Sequence, residues 1–592
     1  MSVPEEVTPP PKPSKPSLST LPYDVLHAII THIPHASSLA ALSATSRNLN
    51  TFVSTSGWQI FLQSKFPSLY PSYLPPTTDS AKNNEPAANK ISWINHVQEL
   101  TLLSRNYDRR GFLAHELEPE ILLPTGRGKF ARKQQWSALR GKGSQTIGFA
   151  PVVDAAEGIL AVGGGHDILL RRRGNKVEEW WLYGDKNFAA GKDDVTALKL
   201  FRPSADGEQR ALVGRANQSL TCVAMRTSRV TSGGFGQSRT EAVLETKPKC
   251  TVRDSTLLER GDESLVASVL GNDFVTLHRL PSVQAGEKIK KVPIAGELYF
   301  QGNEQQPWTA SFLSETRLAI GMRGSHPAVV HTITPTGFTA TPVRSFGAEE
   351  CFDLKVASIK AIAPFPDLRG SPDLFLAGWS AGATLLHDLR TPSPYALLFA
   401  SPSMAVPVYS LLPLGRERIL VGEALHSLLK VFDIRMPGGR VYCTPGGSIP
   451  TPTDGPLDLP GAGQQPKKGW VPGWATHLQP ARTNVAVHIL APQRWGQRGV
   501  RAQESPVYSL AAGSPGGGSV FAGLEGSVWE LDFKGEGVHK KGGRECTMYE
   551  FEDRGYVKLW KQGAVEEIGE EGPRGLWGRL DGRWREMENE RD

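Results

Sequence analysis

Much that would mark a secreted, membrane-spanning or metal-dependent protein is missing from this chain. Its 592 residues include only five cysteines, Cys222, Cys250, Cys351, Cys443 and Cys546. They are odd in number, dispersed and without a CxxC pair, which argues against a disulfide framework or a structural zinc and for a reducing compartment. No long apolar run reads as a membrane span. The opening stretch MSVPEEVTPPPKPSKPS has no apolar segment of the kind a secretory signal needs. Cytoplasm and/or nucleus is therefore the expected location, with no membrane partner. An excess of one charge is also missing: 66 Lys and Arg against 60 Asp and Glu leave a net charge of +6. Basic residues cluster at 127–142 and at Arg171-Arg172-Arg173, but no nucleic-acid-binding motif accompanies them. They read as a solvated loop and a strand end, and nucleic acid is not an expected partner. Gly163-Gly164-Gly165-His166 lacks the GxGxxG spacing, the Lys-Ser/Thr and the helix of a phosphate loop. The histidines show no HExxH spacing or other cluster, so neither a cofactor nor a metal site is expected.

What is abundant is Gly, at 61 residues, and Pro, at 45, which suits a turn-rich β protein. The length exceeds one core, so two or more domains are expected. Residues 21–67 stand apart as helical. Leu21-Pro22 opens a stripe of Val25, Leu26, Ile29, Ile30 and Ile33 at i, i+3/i+4, i+7 spacing, and Pro34 ends it. A second helical pattern runs through Leu39 and Leu42, and a third through Leu49, Phe52 and Val53, followed by Trp58, Phe61 and Phe66. Three short helices in about 45 residues are expected to need a partner to bury this surface.

LPYDVL, the Ser46-Arg47 pair, Trp58 and the Phe66-Pro67 end resemble an F-box, the module that docks a protein on the Skp-type adaptor of SCF ubiquitin ligases. The sequence departs from that family at Asp24, where Glu is frequent, and at Thr45-Ser46-Arg47-Asn48, where a Cys-Arg-x-Trp cluster is frequent. The resemblance implies an adaptor face of Leu21, Pro22, Val25, Leu26, Ile29, Ile30, Ile33, Leu39, Leu42 and Trp58.

The expected organisation is a disordered Pro-rich tail at 1–17, an F-box-like domain at 18–70, a flexible linker at 71–90 and a connector helix at 91–115. A β domain follows at 145–560, then a charged tail at 561–592. The β domain carries an internal repeat. VYSLLPL at 408–414 recurs as VYSLAAG at 507–513, with related strands VTALKLF, WTASFLS and IKAIAPF. Each is followed by a small-apolar strand closing on Gly163, Gly214, Gly321, Gly378, Gly422 or Gly523, then a turn, then a third strand such as TLLHDLR, SLLKVFDIR or SVWELDF. This order resembles a WD-repeat β-propeller. It implies about seven blades, one degenerate around 264–280, with a Pro/Gly-rich insertion at 438–502. The Trp-Asp pair of that family is replaced by His387-Asp388, Phe432-Asp433 and Leu531-Asp532.

The F-box and propeller resemblances together imply a substrate-recognition subunit of an SCF-type E3 ligase, without chemistry of its own. It would bind the adaptor, and through it a cullin-RING ligase, at one end and a substrate protein at the other. The alternative is a propeller scaffold outside ubiquitylation. A remote enzyme alternative rests on Gly378-Trp379-Ser380-Ala381-Gly382, a GxSxG match with Ser380 as nucleophile. The strand-like ATLLHDLR that follows argues for a hairpin turn instead. The turns after the second strands gather on one face, and Arg215, Arg323 and Trp379 are the expected substrate anchors there, by residue type.

Overall fold

The structure, a computed structural model, describes Leu18, residues 21–67, 69–70, 92–109, 112–117 and 150–173, most of 178–434 and 505–533, and short strands at 485–488, 547–551, 556–561 and 578–579. The tail 1–17, the linker 71–90, the basic cluster 127–142, His426 and Glu525 lie outside the described residues, as do most of 438–502 and 561–592. The chain divides into two compact units, Met1–Arg105 and Asn106–Asp592.

The first unit opens with three helical runs. Helix α1 spans Tyr23–His32, with Pro22 at its N-cap, where a missing N–H breaks no helical bond. Ile33 turns extended and Pro34 follows, so the helix stops. Helix α2 spans Ala36–Thr45. The third run is continuous: α3 at Arg47–Phe52, a π-helical turn at Val53–Gly57, and α4 at Trp58–Lys65. Ser46 caps α3 by accepting the Leu49 N–H at 3.3 Å. The π turn lies against α1. A methyl group added at Gly57 would come within 3.1 Å of Ile30 Cδ1, so glycine permits that approach. Leu26, Ile30, Leu39, Leu49, Phe52, Trp58, Phe61 and Leu62 form the core. The expectation that the α1 stripe lacks an internal core is therefore corrected: the helical unit buries Leu26 and Ile30 itself.

Helix α5 spans Trp93–Arg109 and buries Val97, Leu100, Leu103 and Tyr107 along one face. It is shorter than the expected connector, because residues 112–116 form a strand. The unit boundary falls inside it, and its last turn belongs to the second unit. There the Tyr107 ring stacks on Phe533 at 4.1 Å, with the Arg418 guanidinium 5.0 Å from the Tyr107 ring centroid.

The described residues of the second unit are β strands and turns apart from short helical pieces. Strand β1 is Phe112–Glu116. The first sheet follows as β2 Val152–Ala156, β3 Ile159–Gly164, β4 Asp167–Arg173 and β5 Glu178–Tyr183, paired in order. The second is β6 Val195–Leu200, β7 Glu208–Arg215, β8 Leu220–Arg226 and β9 Ser238–Leu244. The third is β10 Val252–Glu259, β11 Glu263–Leu270 and β12 Phe274–Pro281. Strand β13, Lys290–Val292, then runs parallel beside β9, and β14, Gly296–Tyr299, completes the third sheet beside β12.

A nine-stranded sheet holds two meanders. One is β15 Gln306–Ser314, β16 Arg317–Gly324 and β17 Ala328–Thr334, edged by β18 Gly337–Phe338 and β19 Arg344–Phe346. Helix α6, Ala348–Phe352, leads to the other: β20 Ala357–Pro364, β21 Leu374–Trp379, β22 Ala383–Asp388 and β23 Leu397–Ala400. A two-residue ladder, Arg323 with Ser358 and Gly324 with Ala357, joins them. Next come β24 Val408–Leu414, β25 Arg418–Glu423, β26 Leu428–Asp433 and β27 Val485–His488. The expected insertion thus carries a sheet strand, and the long segment interrupts a meander before its fourth strand. The last sheet holds β28 Ser509–Ala512, β29 Ser519–Leu524 and β30 Ser527–Asp532, then β31 Thr547–Phe551, β32 Tyr556–Lys561 and β33 Gly578–Arg579. Strand β1 inserts between β30 and β31, pairing Leu113 with Asp532 and Phe112 with Tyr549.

Five of the six sheets hold one meander each, and their arrangement is propeller-like. The first strands β2, β6, β10, β15, β20, β24 and β28 contact one another in that order, and β28 contacts β2, which closes a ring. The middle strands β3, β21 and β25 are buried at nearly every position because sheets stack on both faces. The repeat glycines have a physical cause. Each faces a side chain at the start of the next meander. A methyl group at Gly163 would lie 2.6 Å from Val195 Cγ1, and at Gly321 2.8 Å from Ile359 Cγ2. In the third sheet Val269 stands where the others have glycine, which is why the repeat fades there. The ring seam is sealed by Leu160, Val162 and Leu169 against Ala511, Phe521 and Val528. Arg171 and Arg173 both bind Glu530 across that seam, at 2.7 and 2.6 Å. The triple-arginine cluster is thus in part architectural.

Candidate functional site

Two regions carry the surfaces that the sequence singles out. On α1 the expected adaptor face splits in two. Leu26 (3% exposed), Ile30 (0%), Leu39 (0%) and Trp58 are interior. Pro22 is exposed, Val25 is 40% exposed, and Leu21, Ile29, Ile33 and Leu42 are half-buried. Helical period sets Pro22, Val25 and Ile29 on one stripe beside the core-facing one. Tyr23, which the sequence did not single out, is 68% exposed while its ring stacks on Phe52 at 5.0 Å.

On the second unit, the turns after the second strands fall where the repeat places them, but two of the three expected anchors do not reach the surface. Trp379 is fully buried. Strand alternation explains this: Gly378 faces Val408, so Trp379 points the other way, against Phe352 at 5.1 Å and His387 at 6.0 Å. Arg215 is also interior. Its Nη1 donates to the carbonyls of His166 at 2.7 Å and Asp193 at 2.9 Å, and its guanidinium lies 4.1 Å from the Phe188 ring centroid. It clamps the first sheet to the second. Arg323 is the one expected anchor that is exposed. Glu423, which ends β25 beside the following turn, is buried and ion-paired with Lys430. Ser380 lies in the tight β21–β22 turn, where its hydroxyl accepts the Ser358 N–H at 3.0 Å. Strand, turn and strand surround it, not the strand-to-helix turn of a nucleophile elbow.

A belt of side chains at the inner strands was missed. Each of β6, β10, β15, β20 and β24 has a bulge at one equivalent residue: Thr196, Arg253, Trp308, Lys360 and Tyr409. Tyr508 holds the matching place before β28. A bulge re-aims its side chain out of the ladder. Here the re-aimed groups meet from meander to meander. The Arg253 guanidinium is 4.4 Å from the Trp308 ring centroid, and Lys360 Nζ is 4.9 Å from the same ring. Lys360 Nζ also lies 4.0 Å from the Tyr409 ring and donates to its hydroxyl at 2.6 Å. Tyr409 meets Tyr508 edge-on at 6.2 Å. The signal was present in VTALKLF, WTASFLS, IKAIAPF, VYSLLPL and VYSLAAG: one repeat position varies in chemistry while a small residue, Ala, Thr or Ser, always follows it.

Below the belt, Asp254 accepts from Thr309 Oγ1 at 2.6 Å and Ala310 N at 3.3 Å, and Asp154 accepts the Leu200 N–H at 2.7 Å. Burial raises both carboxyl pKa values, and Lys199 partly offsets this at each. Among the described residues no cluster of His, Cys, Asp and Glu is arranged to hold a metal ion, and no helix is long and apolar enough to cross a membrane. No protein-family model matches the chain, and none of the curated proteins matches it. A propeller-like fold suggests a protein-interaction scaffold.

Proposed function

We propose that this chain is the substrate-recognition subunit of an SCF-type (Skp–cullin–F-box) E3 ubiquitin ligase. The helical unit acts as the F-box and binds a Skp-type adaptor, which brings a cullin-RING ligase. The propeller, counted as seven WD-like blades when the nine-stranded sheet is taken as two, binds a substrate protein. The subunit performs no chemistry. It raises the effective concentration of substrate beside a ubiquitin-conjugating enzyme. Cytoplasm or nucleus is where it would work. The observation that supports this most is the apolar stripe of Pro22, Val25 and Ile29 that remains at the surface of α1 after the unit has filled its core. Co-purification of the full chain with a Skp-type adaptor tests it, with capture expected and absence of capture contrary to it.

A scaffold outside ubiquitylation is the second possibility. The burial of Leu26, Ile30, Leu39 and Trp58 favours it, because a unit with its own core can stand without an adaptor. Partners captured through the propeller in the absence of any adaptor would select it.

A further inference from the structure

We infer that the inner-strand belt of Arg253, Trp308, Lys360 and Tyr409 is a binding site for the side-chain carboxylate of an acidic peptide. This deepens the proposal that the propeller is the substrate-docking part. Neither Arg253 nor Lys360 forms an ion pair with a carboxylate among the described residues, although both are half-buried. Arg253 is held by the neutral Asn272 side chain, and Asp273 acts on it only as a nearby charge. Burial lowers the guanidinium pKa, and the nearby Asp273 charge offsets this only in part. The carboxylate next in sequence, Asp254, is already accepting from Thr309 and Ala310.

Donors without partners point the same way. Arg253 Nη1 and Trp308 Nε1 are out of water and have no acceptor among the described residues. Tyr409 accepts from Lys360, which leaves its own O–H to donate. Stacking on aromatic rings orients the two cations but does not neutralise them. A planar carboxylate has the oxygens to take the Trp308 and Arg253 N–H groups, with Lys360 alongside as a point charge. A phosphoryl group, with three oxygens, asks for more guanidinium forks than this belt offers.

Three degenerate peptide pools, identical except for a central Glu, phosphoserine or Lys, test this on the immobilised full chain without adaptor. The Glu pool is expected to be retained at least tenfold above the Lys pool, and less at high salt. Arg253→Gln with Lys360→Gln should abolish the preference. Trp308→Phe keeps an aromatic face but loses the indole N–H together with the pyrrole half of the ring, so it should lower Glu-pool retention severalfold in a protein that still shows a cooperative melt, even if the double variant folds poorly. Equal retention of the pools, or retention unaffected by either variant, overturns the site. Tenfold stronger retention of phosphoserine than of Glu overturns the carboxylate assignment. Adaptor capture is measured separately, so either result can fail while the other holds.

Discussion

The helical unit and the propeller dispose of apolar surface differently. In the helical unit each helix has one buried side, and whatever apolar residues exceed the core stay on the outside of the same helix. Leu26 and Ile30 go in, and Tyr23 and Val25 stay out, within a single turn or two. In the propeller the middle strands are covered on both faces, so little is left over along the sheets. The described surface groups of the repeat lie in its turns, at the bulges on the inner strands and on outer strands such as β8 and β9, where the Arg226 and Arg239 side chains reach solvent. Under the proposed function, a partner of the helical unit would meet a helix face, and a partner of the propeller would meet turns and inner-strand bulges.

The largest expected effect attacks the helical side of that contrast. Leu26→Ala with Ile30→Ala removes two core side chains and should cost roughly 4–8 kcal/mol. The expected result is loss of hydrogen-exchange protection across residues 22–65, with propeller protection unchanged. Retained protection there would show that these residues face outward after all. Next in size is Trp379→Ala, which should destabilise the propeller by about 3–5 kcal/mol, seen as a lower melting temperature. A rim residue would leave the melt where it was.

The pH dependence of propeller stability is smaller. Burial among Phe346, Phe375 and Trp379, with a minor contribution from Arg344, lowers the His387 pKa to about 3. The ring donates Nδ1–H to the Pro394 carbonyl at 2.8 Å, which sets its tautomer, while burial keeps it neutral. The unfolded chain takes up this proton near its ordinary value of 6.5, before the folded one does. Stability from this group is therefore complete above pH 6.5 and falls as pH drops from 6.5 towards 3, by up to ~1.4 kcal/mol per pH unit. His387→Gln, whatever its own stability, should flatten that slope in a series of melts. The smallest effect is on the outer face of α1. Tyr23→Ala with Val25→Asp should leave the melting temperature nearly unchanged and weaken adaptor binding by about 1–2 kcal/mol in a calorimetric titration.

The repeat was legible because its glycines and branched residues serve local pairing and the next sheet at once. VYSLLPL, RILVG and SLLKVFD fall on β24, β25 and β26 as expected. Strands β1 and β27 were not legible, since each is separated from its partner by a long intervening segment and carries no repeat signature. Side-chain direction was lost for a different reason. Trp379 and Arg215 sit beside repeat glycines, where a single step along the strand exchanges interior for surface. On α1, periodicity gave the stripe but not which half of it turns inward, because Leu26 and Val25 are equally apolar. Ser46 was noted only as part of a pair, yet its position as the α3 cap follows from its hydroxyl.

Hydrogen exchange of the full chain with and without excess purified Skp-type adaptor tests the central claim most directly. Slower exchange at residues 18–33, with no change across the propeller strands, is the predicted result. Unchanged exchange at 18–33 under saturating adaptor, or a change confined to the propeller, would contradict it.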